Sequence, residues 1–397
     1  MRDLHFGVVT PLDPHETGVA EYIWDLIPYL AKHSARPVLI FGDKESFWGQ
    51  QTELWQILPI KSLPENFATV DLLIYQMGNS PAHDFMAPFL RTYPGIIVLH
   101  DVSLYHFYAR LAHKEITSYL RAFGFAFGLA GREMAHRYLK GEQRPRYPDL
   151  LLSEWVSTYS PAVVVHSQHA ATILMERCTG ARIEVVPMPI RLPALSGDFK
   201  DQIRQKLGIP EQAYVVAVFG VVNISKNPIA VLEALRRLRL AGAPAFAVFI
   251  GWENSDFRLL PEVERRGLQD SVTFLGFLED RSEVDLWLAA ADVGVGLRLI
   301  YWGETPSSTL RMMAVGIPVI VNDIGAFSEL PEMACIKIPN TNVEEILFVK
   351  LQELYQDRDQ RMQMGAYARR YIQDFHNPDR VALSFIDIGK TLARYDF

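Results

Sequence analysis

The chain has 397 residues, of which 49% are hydrophobic and 21% charged, and its net charge is −7. That length exceeds one ordinary core and points to two domains, while the composition excludes a disordered chain and the acidic balance argues against a nucleic-acid binder. Two cysteines in no metal-ligand spacing, Cys178 and Cys335, and the lack of any apolar run of eighteen residues point to a reduced cytoplasmic protein without a disulfide framework or a spanning helix.

Residues 1–10 read as a first strand and not as a signal peptide. Short runs of Val, Ile, Leu and Phe recur at 6–9, 37–41, 71–75, 95–99, 162–165 and 183–186, then at 214–219, 245–250, 272–275, 293–297, 317–321 and 335–338. They are nearly continuous instead of alternating, as strands buried on both faces of a parallel sheet are. Amphipathic helical patterns fall between them at 19–31, 228–240, 281–291, 310–315 and 343–355. The alternation predicts an α/β fold of two doubly wound, Rossmann-like parallel-sheet domains.

The proline- and glycine-bearing stretch 191–198 marks the boundary, giving domains over 1–195 and 196–377. A final amphipathic helix, 378–397, is expected to cross back to the first domain. A helical, aromatic insertion over 101–150 interrupts the alternation. Between Asp101 and Pro148 it carries eight bases against four acids, a net +4. That is either a solvated face or a surface for a phosphate-bearing acceptor or an anionic bilayer.

Candidate site residues cluster where strands end. After the first strand, Thr17 and Gly18 open a helix, and Gly18 lets a ligand approach the backbone. The Gly-x-Gly-x-x-Gly spacing of dinucleotide binders is missing there. Asn79, His83, His100 and Asp101 follow two further strands. In the second half, Lys226 stands beside a helix start, where the helix dipole disfavours a cation unless it meets an anion. The stretch Gly303-Glu304-Thr305-Pro306-Ser307-Ser308-Thr309-Leu310-Arg311 reads as a hydroxyl-rich loop entering a helix, with Arg298 upstream. Amides at a helix start and three cations, Lys226, Arg298 and Arg311, fit a diphosphate better than a carboxylate.

With these pieces in place, the chain resembles the retaining GT-B glycosyltransferases of family 4 (glycosyl transferases group 1) over nearly its whole length. The resemblance rests on residues 17–22, 99–101, 165–167, 185–187, 219–226, 272–276 and 303–320. It implies two Rossmann-like domains facing a cleft, an acceptor domain first and a donor domain second. By the same resemblance, Lys226 and the loop Glu304, Thr305, Pro306, Ser307 and Ser308 hold the donor diphosphate, with Glu304 on hydroxyls of the transferred sugar. Phe277 and Leu278 meet the base, His100 lies near the reacting sugar, and Gly18 faces donor or acceptor. Thr17, Asn79, His83 and Asp101 are the acceptor candidates.

Two positions depart from the family pattern. Val221 stands where many members carry an arginine, and Arg311 where many carry a ribose-binding glutamate. We read them as linked, with Arg311 or Arg298 supplying the missing charge, and the nucleotide is left open. The expectation is transfer of a hexose from a nucleotide-diphosphate sugar to a glycan or lipid-linked hydroxyl acceptor, in polysaccharide biosynthesis. No metal or other cofactor is required and no nucleic acid is a partner. Residues 105–147 would supply any peripheral contact with the inner membrane face. The alternatives are a nucleotide-sugar epimerase or a sugar phosphorylase of the same fold, or a non-catalytic sugar-nucleotide-binding subunit.

Overall fold

A computed structural model describes residues 4–12, 18–43, 51–147, 149–194, 199–255 and 257–392. The chain divides into two compact units. The first comprises 1–189, 302–305 and 377–397, and the second 190–301 and 306–376.

The first unit is built on a parallel sheet of seven strands among the described residues: β1 (Phe6–Val9), β2 (Val38–Gly42), β3 (Trp55–Pro59), β4 (Leu72–Met77), β5 (Ile96–Leu99), β6 (Val163–Val165) and β7 (Ile183–Val185). Their order is β3-β2-β1-β4-β5-β6-β7, so the winding reverses between β1 and β4. Every residue of β1, β4 and β5 is buried, which is why these strands read as unbroken apolar runs. Edge strand β3 is mostly half-buried and ends on Pro59, a residue tolerated at sheet edges; that mixed pattern falls outside the strands expected from sequence. Residues 101–147 form the helices Tyr105–Ala112, Ile116–Phe127 and Gly131–Leu139. The helix Pro378–Leu392 packs against Gly18–Lys32, and an added Cβ at Gly389 would lie 2.7 Å from Leu4 and 2.8 Å from Leu72.

The second unit repeats the plan with β8 (Tyr214–Phe219), β9 (Ala245–Ile250), β10 (Val272–Phe274), β11 (Val293–Gly296), β12 (Val319–Asn322) and β13 (Cys335–Ile338), in the order β10-β9-β8-β11-β12-β13. Its winding reverses between β8 and β11. The helix Pro228–Leu240 turns Ala230, Leu232, Leu235 and Leu238 into the core, where each fully buried leucine contributes about 1.5–3 kcal/mol. In sheets of this kind ligands gather outside the carboxyl ends of the strands beside such a reversal. With two Rossmann-like parallel-sheet units, the chain has the architecture of the GT-B fold. Among the described residues no helix is long and apolar enough to cross a membrane.

Candidate functional site

In the second unit the site begins where β8 ends. Gly220 turns the chain with φ +94°, a conformation that penalises any side chain. The turn Ile224–Lys226 comes next, fixed by the Asn223 side chain, which accepts from Lys226 N at 3.2 Å and from Ser225 Oγ at 2.7 Å. This folds Lys226 back over the strand end, where Nζ donates to Phe219 O at 2.9 Å. A Cβ on Gly220 would lie 2.3 Å from that ammonium and 3.6 Å from Ser308 Cβ. Lys226, Gly220 and Ser308 therefore converge on one point at the carboxyl end of β8.

Ser308 belongs to the helix Ser307–Ala314, which starts three residues before the expected Leu310. Ser307, Ser308 and Thr309 are thus first-turn residues and not loop. Pro306 flanks the start, where it has no N–H to leave unpaired. The first-turn amides have no acceptor within the helix and present the positive end of its dipole.

Of the other expected cations, Arg311 is buried and lies 3.2 Å from Asp285 Oδ1, with its guanidinium 5.1 Å from the Phe219 ring centroid. It is an ion-pair partner of the helix Arg281–Ala289, a relation the sequence does not announce. Arg298 is half-buried; its backbone N–H donates to Asn322 Oδ1 at 2.6 Å, and its guanidinium lies 5.8 Å from the Phe327 ring. Phe277 is exposed and Leu278 half-buried just after β10, beyond Gly276, whose carbonyl accepts from Gly251 N at 2.8 Å.

The expected donor loop is split. Trp302–Thr305 clusters with the first unit, whereas Pro306 and the helix Ser307–Ala314 belong to the second. Glu304 Oε2 accepts from Trp302 N at 2.8 Å, and the Trp302 ring lies 4.9 Å from His106. Gly303 has φ +84°, and a Cβ there would sit 2.7 Å from Val102 Cβ. Burial first, and the Glu304 charge second, push the Tyr147 phenol well above its ordinary value.

In the first unit Gly18 is exposed at the start of its helix, and Thr17 lies outside the described residues. Asn79 N donates to Asp101 Oδ2 at 2.7 Å, while its side-chain oxygen accepts from Phe107 N at 3.2 Å and its amide donates to Ser103 O. His83 is buried beside them; a Cβ on Gly78 would lie 3.0 Å from the His83 ring and 3.2 Å from Asp101 Oδ2. Asn79, His83 and Asp101 therefore form one group. His100 sits next to it, Nε2 2.7 Å from Gln76 Oε1, with its ring centroid 4.7 Å from Tyr22 and 5.2 Å from His166. Burial, then His166 and His83, hold His100 well below the ordinary histidine value, so it is neutral at pH 7.

Gln76, Tyr22 and His166 carry no role in the sequence reading. The available signal was Gln76, the lone amide in the apolar run Leu72–Met77. Among the described residues no group of three His, Cys, Asp or Glu could hold a metal ion.

Residues 199–371, which lie largely in the second unit, match the family described as Glycosyl transferases group 1. Over 137 residues the chain is 28% identical to the lipopolysaccharide core biosynthesis mannosyltransferase LpsB of Rhizobium meliloti, a match spanning 33% of this chain and 37% of that protein. Among solved structures, Anabaena HepE in complex with UDP-glucose has a TM-score of 0.68 at 16% identity, covering 98% of this chain and all of that one. Sucrose-phosphate synthase from Thermosynechococcus elongatus has a TM-score of 0.70 at 16% identity, over 99% of this chain and 100% of that chain. These likenesses fix the fold.

Proposed function

We propose, taking residues 199–371 as a group 1 glycosyltransferase domain, that the protein transfers a hexose from a nucleotide-diphosphate sugar to a hydroxyl of a glycan or lipid-linked acceptor, with retention of configuration. The observation that carries this reading is the convergence of Lys226 Nζ, the Gly220 turn and Ser308 at the end of β8. A cation, a close-approach glycine and a helix N-terminus together suit a diphosphate. Negative charge develops on the departing nucleoside diphosphate, and preorganised donors there stabilise the transition state more than the ground state.

In this reading Lys226 and the amides of Ser307 and Ser308 bear the diphosphate, while Thr305 and Pro306 set the approach to the helix. Arg298 adds charge, Phe277 and Leu278 border the base, and Gly18 leaves room for the ligand to approach the protein backbone. Arg311 supports the site through its pair with Asp285. Glu304 meets hydroxyls of the transferred sugar, and His100 lies beside its reacting carbon. Asn79, His83 and Asp101, with Thr17, receive the acceptor. The acceptor oxygen attacks the anomeric carbon from the side the diphosphate leaves, within an ion pair and without a metal; the bond from that carbon to the diphosphate breaks, and the hydroxyl proton passes to the departing diphosphate. The mannosyltransferase name of LpsB supports a hexose as the transferred sugar, and the UDP-glucose bound by HepE supports a nucleotide sugar as donor.

The test is a donor screen by thermal shift with UDP, GDP, ADP, CDP and TDP sugars, and then NMR of the product with a panel of glycan acceptors. Retained anomeric configuration is expected. An inverted product, or a donor isomerised with no acceptor present, would refute the reading; the second outcome is the epimerase.

A peripheral contact with an anionic membrane face belongs to the same proposal. Phe125 and Leu129 are solvent-exposed on the segment that carries Arg121 and Arg132, so apolar and basic groups share one stretch. Binding to phosphatidylserine vesicles at low salt, lost at high salt and in Leu129→Asp, is expected. No binding at low salt would end the idea.

A further inference from the structure

The carboxyl ends of β4, β5 and β6 each deliver one polar side chain to a single buried cluster: Gln76, His100 and His166. Tyr22, from the helix Gly18–Lys32, closes it with its ring centroid 4.7 Å from that of His100 and 5.2 Å from that of His166. The titratable groups acting on His100 are His166 and His83, and among the described residues no carboxylate joins them. The neighbouring Asp101 instead gives its Oδ2 to Asn79 N. His100 thus has a carboxamide where an imidazole is commonly paired with a carboxylate.

The choice of partner decides the chemistry of the ring. Gln76 Oε1 can only accept, so at 2.7 Å it requires the proton on His100 Nε2. Nδ1 is then left as a lone pair, and it makes no hydrogen bond among the described residues. A carboxylate in the same place would favour the imidazolium and remove that acceptor. Two further atoms of the cluster, Tyr22 Oη and Gln76 Nε2, are buried with no hydrogen-bond partner among the described residues. Cores ordinarily avoid this, and it is characteristic of sites kept for chemistry.

We propose that Gln76 is a positioning residue that holds His100 as the neutral Nε2–H tautomer, with Nδ1 kept as acceptor for a hydroxyl of the sugar substrate. The hydroxyl role rests on the glycosyltransferase reading; the tautomer does not. Burial and the two neighbouring imidazoles act in the same direction as the amide, since all three disfavour a second proton on the ring.

The experiment labels the histidines of the full chain with 15N and tracks the imidazole shifts with pH, for wild type, Gln76→Glu and Gln76→Ala. Wild-type His100 should be the Nε2–H tautomer near neutrality. Gln76→Glu should raise its titration by about 1–3 pH units and move the acid limb of kcat/KM the same way, with donor KM changed less than about twofold. Gln76→Ala should mix the two tautomers and lower kcat, which keeps the test open if the glutamate variant folds poorly. A wild-type proton on Nδ1, or a Gln76→Glu profile that overlays wild type, would overturn the proposal. An Nε2–H His100 in a chain that transfers no sugar would uphold the positioning and overturn the hydroxyl role.

Discussion

Replacing Lys226 by alanine separates folding from ligand binding at the point where the proposed site is densest. Without a ligand, the half-buried ammonium donates to Phe219 O at 2.9 Å, and removing that bond costs on the order of 1–2 kcal/mol. Part of this returns, because a cation beside the starts of two helices is disfavoured by roughly 0.3–1 kcal/mol. Stability should therefore change little. Binding should not: a charge-assisted hydrogen bond to phosphate is worth about 1.5–3 kcal/mol, or roughly a 10- to 150-fold rise in donor Kd. Lys226→Arg should rescue only in part, since the forked guanidinium is bulkier than the ammonium that lies 2.3 Å from where a Gly220 Cβ would stand. The assay is calorimetry of the donor found by thermal shift, with urea unfolding of each variant alongside. An alanine variant that binds the donor as tightly as wild type would refute the diphosphate assignment. A variant that lost binding only in proportion to lost stability would refute it too.

Gly220→Ala puts a side chain at φ +94° against the same ammonium, so it should cost roughly 1–3 kcal/mol and weaken donor binding as well; urea unfolding and calorimetry read the two effects. Asp292 gives the opposite pattern. Burial alone would raise its carboxyl, but Lys200 at 2.9 Å, Arg204 at 2.7 Å and the Val215 N–H outweigh it and hold it below the usual carboxylate value. A depressed folded value means the stabilisation is present above an unfolded value of about 3.9 and is lost as pH falls through the folded one. Asp292→Asn should thus cost about 3 kcal/mol at neutral pH in urea unfolding, with a gap to wild type that closes under acid. Because Asp292 precedes β11, at the far end of the strand from Arg298, donor affinity should not change; a weakened Kd would contradict that placement. Burial pushes the Cys335 thiol up to about 11 and raises Cys178 also, so neither should react with iodoacetamide at pH 8 until urea unfolds the chain, as mass spectrometry would read.

The fold was legible because strands buried on both faces leave continuous apolar runs, and β8, β9 and β13 run over the expected residues. Strand β3 was not, since an edge strand with Gln56 and Pro59 lacks that signature. The helix Arg358–Phe375 also escaped notice: its buried residues, Met364, Gly365, Ala368 and Ile372, form a narrow stripe within a charged sequence. At the site, residue types at strand ends located the candidates but not their partners. Lys226 and Ser308 are 82 positions apart and meet only because β8 and β11 are neighbours. The Arg311–Asp285 pair depends on how two helices face each other, which no local spacing encodes. Gln76 was hidden because a buried amide inside a strand looks like a break in the pattern until its partner is seen.

The helix Pro378–Leu392 has a consequence for how the protein is made. It covers the helix Gly18–Lys32 and fits Gly389 against Leu4 and Leu72, side chains supplied by the opening part of the chain. At about 5–20 residues per second, translation reaches this helix roughly 10–40 s after residue 189 has been joined. For that interval the nascent first unit shows the ribosome's surroundings a bare apolar flank. The second unit, whose described strands all lie between Tyr214 and Ile338, needs nothing from that late segment to complete its sheet. Synthesis order and completion order are therefore inverted, and chaperone demand should fall on the half of the protein that emerges first.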